Sequence, residues 1–522
     1  MSESVSSPTL ALPTWRCMLK KAVWIAVSSM FLLLLAILIA PHFVDLGYFK
    51  RTYLPLIEES LNRRLDVGEV RLRLVPTPSI QLSQLKIFDN APFGDHMFFS
   101  AEQVRLRLKF LSLLRGQFDI TELILDRPAF NLVKQLDGTF NYTDIANKKS
   151  STVTRRDVRK KSDVSKPEAP AVPVLLPKNI TVKAGQINFF TRGQNPVKLD
   201  GIDLTLRDFS SDAPFPFRAS FSYPRLNTVT LEGHLNYHEE KSLLELKNNR
   251  LKAYDVTFPV EGQIANPFTS PRLNLSLRGT NVEAKSIFQV LSAFGFAPPD
   301  TEISGPMDLF MSLIGPSQSL ITQGHGIFKN VKVSDKRALK GNLSGEVSIR
   351  LPSTSGPVSR RLQGEGKLAV RDGQLTNVDL VKKVERVTGM IGLTKTEQRQ
   401  ATSFKTMETD FILRGGYAEF SRLYLLNPQL EVNGSGTMTL DEPTLDLAVS
   451  TALSPQASAR AGHGRASTFF KDKHGRIVVP LKINGPVENP SVNLNTEKLV
   501  ETGLPQNAEK GFSSFFKRLF RR

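Results

Sequence analysis

The chain has 522 residues, with 68 Lys and Arg against 50 Asp and Glu, a formal net charge of +18 and a single cysteine, Cys17. One cysteine excludes intrachain disulfides and thiolate metal clusters. Basic residues spread along the chain, not gathered on one motif, argue against nucleic acid and suit solubility or an anionic membrane surface.

The first element in chain order is Ala22 to Ala40, AVWIAVSSMFLLLLAILIA, an uncharged apolar run preceded by Arg16, Lys20 and Lys21. At roughly 1.5 Å per residue it covers about 28 Å, the thickness of a bilayer core. It predicts a transmembrane anchor at 22–40. A cleaved signal peptide would carry a shorter apolar core and a small-residue cleavage site, whereas Ala40 runs into Pro41-His42-Phe43. The preceding basic residues favour a cytoplasmic segment 1–21, with Lys50 and Arg51 diluting the bias. No later apolar run is long enough to span, so the rest of the chain is expected on the other side.

Leu54, Ile57 and Leu61 fall at helical spacing, with Pro55 near a first turn, and predict a short amphipathic helix. The period then changes to two. Val70, Leu72 and Leu74 alternate with Arg71 and Arg73, and Val104, Leu106 and Leu108 alternate with Arg105, Arg107 and Lys109. Each run predicts a strand with an apolar face turned inward and a basic face turned to solvent. Ile80 to Leu82, Leu123 to Leu125 and Phe130 to Val133 read as further short strands, so 41–147 is a β region.

Lys148 to Pro173 is rich in Lys, Arg, Ser and Pro and reads as a disordered basic linker. From 174 to 510 the alternation resumes, for example in Ile202-Leu204-Leu206, Leu273-Leu275-Leu277, Val347-Ile349, Leu423-Leu425 and Leu445-Leu447-Val449. Two helical stripes interrupt it: Ile287, Val290, Leu291 and Phe294 within Val282 to Phe296, and Val381, Val384, Val387 and Ile391 within Val378 to Ile391. Each is expected to close an end or edge of the sheet. In the tail, 511–522, Phe512, Phe515, Phe516, Leu519 and Phe520 form one helical stripe with Lys517, Arg518, Arg521 and Arg522 off it. That pattern suits a membrane surface, or equally a cap on the sheet.

The pattern of residues 55–142 resembles the N-terminal region of AsmA-like envelope proteins. It holds a short helix, VRLRLVPTPSIQL, an APFGD loop, the leucine-rich LSLLRG turn and a closing DGTFNY. One departure is Leu61-Asn62-Arg63-Arg64, where the family often has Thr-Gly-Arg. The stretches DGQLTNVDLVKKVERVTGMIG, TDFILRGGYAEFSRLYLLNPQLEVNGSGTMTLDEPTLDLAVS and VVPLKINGPVENPSV are also similar to the family and mark an AsmA-like C-terminal region at about 340–495. The resemblance implies a single-pass inner-membrane protein whose large body lies in the periplasm. It also implies a connection with outer-membrane assembly and lipid homeostasis, and a fold related to bridge-like lipid-transfer proteins.

The usual chemistry is missing from the sequence. His234 and His238, followed by Glu239 and Glu240, lack the HExxH order of a zinc site and read as surface histidines. The glycine pairs Gly324/Gly326, Gly364/Gly366 and Gly434/Gly436 lack a dinucleotide fingerprint and read as turn or bulge glycines; Asp441-Glu442 reads as a hairpin turn. No catalytic residue, cofactor or metal is expected, and the chain is not expected to be an enzyme.

The expected fold is therefore mainly β: an anchor followed by an elongated, twisted, continuous antiparallel sheet with a few short helices. About twenty alternating strands present more apolar surface than three short helices can cover. Either the sheet closes on itself as a dry core, or it curls into a trough lined by apolar side chains that holds lipid. With the resemblance, the expectation is the trough, lined by Val70, Leu72, Leu74, Val104, Leu106, Leu108, Leu273, Leu275, Leu445 and Leu447. Membrane lipids are then the partners, together with envelope proteins at the inner or outer membrane and no nucleic acid. The alternative is a dry-cored scaffold that offers β-edges to outer-membrane proteins.

Overall fold

The computed structural model describes residues 54–142, 177–383, 401–461 and 470–498, less gaps of one to seven residues inside those spans. The predicted anchor 22–40, the linker Lys148 to Pro173 and the tail 511–522 lie outside the described residues. Among the described residues no helix is long and apolar enough to cross a membrane. The chain is mainly β, with 24 strands among the described residues, and divides into two compact units at Phe209/Ser210.

The first unit holds eight strands: β1 (Leu65–Asp66), β2 (Val70–Arg73), β3 (Ser79–Phe88), β4 (Met97–Leu108), β5 (Ile120–Asp126), β6 (Ala129–Lys134), β7 (Asn179–Thr191) and β8 (Val197–Leu206). Strands β1 and β2 both pair with β3, and β3 pairs with β4. Strands β5 and β6 are one strand interrupted at Arg127-Pro128, since both keep the same register against β4 and against β7. Pro128 cannot donate to a ladder, and Arg127 takes a positive φ there.

The pairing of β5 and β6 with β7 is parallel, which corrects the all-antiparallel expectation. Parallel neighbours need a crossover of a dozen or more residues. The chain between Tyr142 and Pro177, which contains the basic linker, makes that crossover. The linker therefore joins two adjacent strands of one unit, and the division of the chain falls later.

The second unit is an antiparallel meander. Its strands are β9 (Phe215–Tyr223), β10 (Leu226–His238), β11 (Leu243–Ala253), β12 (Val256–Ala265), β13 (Arg272–Glu283), β14 (Thr301–Ser304), β15 (Pro306–Pro316), β16 (Ile321–Asp335), β17 (Leu339–Pro352), β18 (Gln363–Leu375), β19 (Thr402–Arg414), β20 (Tyr417–Leu426), β21 (Leu430–Thr439), β22 (Thr444–Leu453), β23 (Val478–Pro486) and β24 (Ser491–Leu494). Gly415 and Gly416, both at positive φ, form the two-residue turn that sets the register of β19 on β20.

Helices inserted among the described strands of this unit include α1 (Ala284–Ala293), α2 (Val358–Arg361) and α3 (Pro455–Ala461). The first predicted helical stripe is α1, although Val282 still belongs to β13. It closes the sheet as expected: Ile287 is buried with Phe288 and Leu291 beside it in one cluster, and Val290 and Ala293 pack on a second around Val229. Most of the second stripe lies outside the described residues; Leu380, just inside it, packs on the cluster around Val479.

The glycine pairs lie within strands and not at turns, and Gly434/Gly436 sit opposite a bulge of β20 between Phe420 and Leu423, in line with the bulge reading. They sit mid-strand on the apolar face, in a row that reads Gly279, Leu309, Gly326, Val347, Gly366, Phe411 across successive strands. Neighbouring rings cover some of the missing side chains, as Phe258 does at Gly279 and the buried Phe404 at Gly373. A Cβ at Gly373 would meet that ring and lie 2.6 Å from the Lys340 carbonyl oxygen, whereas one at Gly326 would meet only Met307 Cε at 3.5 Å. Gly373→Ala should then cost about 1–3 kcal/mol, and Gly326→Ala no more than about 0.5 kcal/mol, in urea unfolding. Equal costs would show that the ring does not fill the place of the side chain.

Candidate functional site: the apolar face

Because side chains alternate along a strand, the register between strands decides which of them form a continuous surface. In the first unit, one row across the sheet reads Leu72, Ile80, Leu106, Leu123, Ile180, Leu206, and the next reads Val70, Leu82, Val104, Leu125, Val182, Leu204. The candidates Val70, Leu72, Val104 and Leu106 therefore share one face. Leu108 is buried at the end of β4 opposite Ile120, and Leu74 lies outside the described residues.

The basic face differs from the expectation on β4, where Arg105 and Arg107 are both half-buried, whereas Arg71 and Arg73 on β2 are exposed. Arg71 is exposed and pairs with Glu69 at 2.7 Å, and Arg107 pairs with Glu122 at 2.6 Å. Arg105, expected in solvent, is half-buried between Gln81 and Ile124, both themselves buried, and donates to Gln103 Oε1 at 3.0 Å. Alternation placed the guanidinium on the correct side of β4; it did not show that the second face is also covered there.

In the second unit the apolar face grades from closed to open along the strands. At one margin the row Val331, Leu343, Val370, Met407, Leu425, Val432, Thr451, Val479 runs through two buried clusters. Ala457 of α3, Phe470 and Ile477 close over its far end. Toward the other margin lie Leu275, Leu313 and Leu351 in one row, and Leu277, Met311, Ile349, Leu413, Met438 and Leu445 in the next. All nine of these side chains are partly exposed. The candidates Leu275 and Leu445 belong to this open strip; Leu273 flanks it opposite Ile264 and Gly315, and Leu447 lies one row deeper and is buried.

The opposite face is polar, with Glu232 against Arg250, Glu261 against Ser276 and Gln323 against Arg350. His234 is exposed there. His238 is near Asn236 Nδ2 and Glu245 Oε2, at 3.0 and 3.3 Å, and Lys247 and His238 together hold the Glu245 carboxyl below its ordinary pKa. Among the described residues no group of His, Cys, Asp and Glu is placed to hold a metal ion.

A buried polar node in the first unit was missed in the sequence. Arg63 and Asp89 form an ion pair with both side chains fully buried. Arg63 also donates to the Asn141 carbonyl oxygen and lies 4.7 Å from the Phe98 ring centroid. Asn141 Nδ2 donates to Asp89 Oδ2 at 2.9 Å and to the Asn131 carbonyl at 2.8 Å, while its Oδ1 accepts from the Val133 amide at 3.0 Å. Asn62 turns the chain into this node at φ +54°, a conformation that glycine adopts freely and asparagine tolerates. The replacement of Gly by Asn in the Thr-Gly-Arg pattern thus keeps the turn that buries Arg63.

The node ties together three of the sequence stretches quoted above: LNRR, the strand end before APFGD, and DGTFNY. Comparison with protein families matches the AsmA family over residues 18–278, half of the chain. The chain belongs to the AsmA family. The match takes in the predicted anchor, the first unit and the second unit as far as Arg278 in β13. The similar stretches near the C-terminus lie beyond it. Searches of curated proteins and of solved structures returned no match. Membership fits a role in the cell envelope related to the outer membrane.

Proposed function

We propose that this AsmA-family protein binds lipid on its apolar face and conveys it, phospholipid or a lipopolysaccharide-related lipid, for outer-membrane assembly and homeostasis. The observation that carries the reading is the open margin of the second unit. There, rows of Leu, Met and Ile stay partly exposed on the same face whose other margin is buried core. A soluble surface seldom leaves a contiguous apolar strip without an occupant. Acyl chains fit the chemistry, since each CH₂ sheltered from water stabilises the bound lipid by about 0.8 kcal/mol. Such binding needs no catalytic group, and the protein acts as a carrier rather than an enzyme.

The run Ala22–Ala40, inside the family match, would hold the chain in the inner membrane by a single pass, with the body in the periplasm. The test is mass spectrometry of lipids retained by the full chain after purification in mild detergent. At least one lipid per chain is expected. Retention no greater than that of an unrelated single-pass membrane protein would count against the reading.

A further inference from the structure

We infer that Gly326 floors the seat for the methyl end of a lipid acyl chain lying along β16; the inference rests on the lipid reading above and deepens it. Glycine inside a strand weakens the strand, and its usual reasons are a backbone that needs it, a neighbour that fills its place or a ligand that comes close. Gly326 lies within β16 at a φ outside the left-handed region, so the backbone does not require it. At Gly279, Gly324, Gly364, Gly366, Gly373 and Gly434 a Cβ would come within 3.0 Å of a neighbouring ring, side chain or backbone atom. At Gly326 the one atom within 4 Å is Met307 Cε, at 3.5 Å. The glycine is partly exposed, so this gap opens to solvent.

The gap is continuous with the open strip. Gly326 pairs with Leu309 on β15 and Val347 on β17, both partly exposed. Gly324, the next residue of β16 on the same face toward the open margin, pairs with Met311 and Ile349 of the strip. With no side chain on β16 at either position, the flanking strands stand as two apolar ridges over a floor of backbone. Ile349 leans over Gly324 and stops short of Gly326. At the deep end Met307 and Phe328 pair across the strands and close the furrow: Met307 is buried, and Phe328 packs on the same cluster.

The polar residues that alternate with these, Asp308, His325, Glu346 and Ser348, belong to the opposite face. A headgroup would therefore find no polar partner in the furrow, whereas a hydrocarbon chain needs none. The ridges stand two strand spacings apart, roughly 10 Å between backbones. Between their side chains that leaves the width of one linear chain, and too little for a fused ring system. From Thr322, in the row of Leu313 and Leu351 at the rim, to Gly326 the furrow runs along β16 for roughly 13 Å. The methyl end then meets Met307 and Phe328, and the headgroup stays at the open margin.

The test uses the full chain in non-ionic detergent with phosphatidylglycerol probes that carry a photoreactive diazirine either at the methyl end of one acyl chain or beside the glycerol. Peptide mass spectrometry after irradiation should find the methyl-end probe chiefly on Met307, Val347 or Phe328, and the glycerol-side probe at the open margin, on residues such as Leu313 and Leu351. Gly326→Leu fills the gap and should weaken binding of a fluorescent phosphatidylglycerol about tenfold, the effect of exposing about two CH₂ groups. His325→Leu, on the opposite face, should leave that binding unchanged. Equal affinity of Gly326→Leu and the unaltered chain overturns the seat at Gly326 and leaves the lipid reading standing. So does methyl-end labelling confined to the open margin of the unaltered chain, a result that does not depend on how any variant folds. Labelling by neither probe above that of an unrelated single-pass membrane protein overturns the lipid reading itself.

Discussion

Arg63→Ala should destabilise the first unit by about 3–5 kcal/mol, because it leaves a carboxylate buried without its cation. Asp89 is fully buried and its remaining partner is the neutral amide of Asn141. The Asn141 carbonyl loses its guanidinium donor in the same step. Arg63→Lys keeps the charge, but a single ammonium lacks the planar fork that reaches Asp89 and Asn141 together, so an intermediate cost is expected. Asp89→Ala should cost as much as Arg63→Ala, and the double variant less than the sum, since neither charge is then stranded. Urea unfolding of the full chain, followed by probes in each unit, reads the effect. A cost below about 1 kcal/mol for Arg63→Ala would mean that water reaches the pair.

Leu313→Asp should lower the lipid retained by the full chain at least tenfold, whereas Ile314→Asp should leave it unchanged. The two positions are adjacent on β15 and point to opposite faces. Leu313 lies in the open apolar strip between Leu275 and Thr322, and Ile314 is 38% exposed on the polar face. A carboxylate at 313 must either lose its water against an acyl chain or keep the chain away. Neither position is fully buried, so both variants should retain the thermal midpoint within a few degrees. Equal lipid retention would remove the open strip as the binding surface. Loss of lipid together with a collapse in stability at Leu313→Asp would instead mark the strip as dry core.

The apolar face was legible in the sequence because alternation is a local property: Val70 and Leu72, or Leu273 and Leu275, declare their shared side without knowledge of any partner strand. Turn chemistry was legible for the same reason at Asp441-Glu442-Pro443, between β21 and β22. The stripe of Ile287, Val290 and Leu291 likewise announced α1. The family was legible in motifs whose diffuse pattern reflects strand and turn requirements, not a reacting group.

What only the tertiary structure decided depends on residues far apart in the chain. Arg63 finds its partners 26 and 78 residues away, and no local pattern distinguishes it from Arg64 or Arg71, which looked equally solvated. The parallel pairing of β6 with β7 follows from the side on which the chain returns after the linker, a choice to which alternation is blind. The mid-strand glycines acquire their reason only when register sets Phe258 and Phe404 beside them. Burial of one margin of the apolar face and exposure of the other is likewise a property of what packs above each row. By itself the sequence determined the face on which an apolar ligand would lie; the packing of α1, α3 and the strand ends decided how much of that face stays open to receive one.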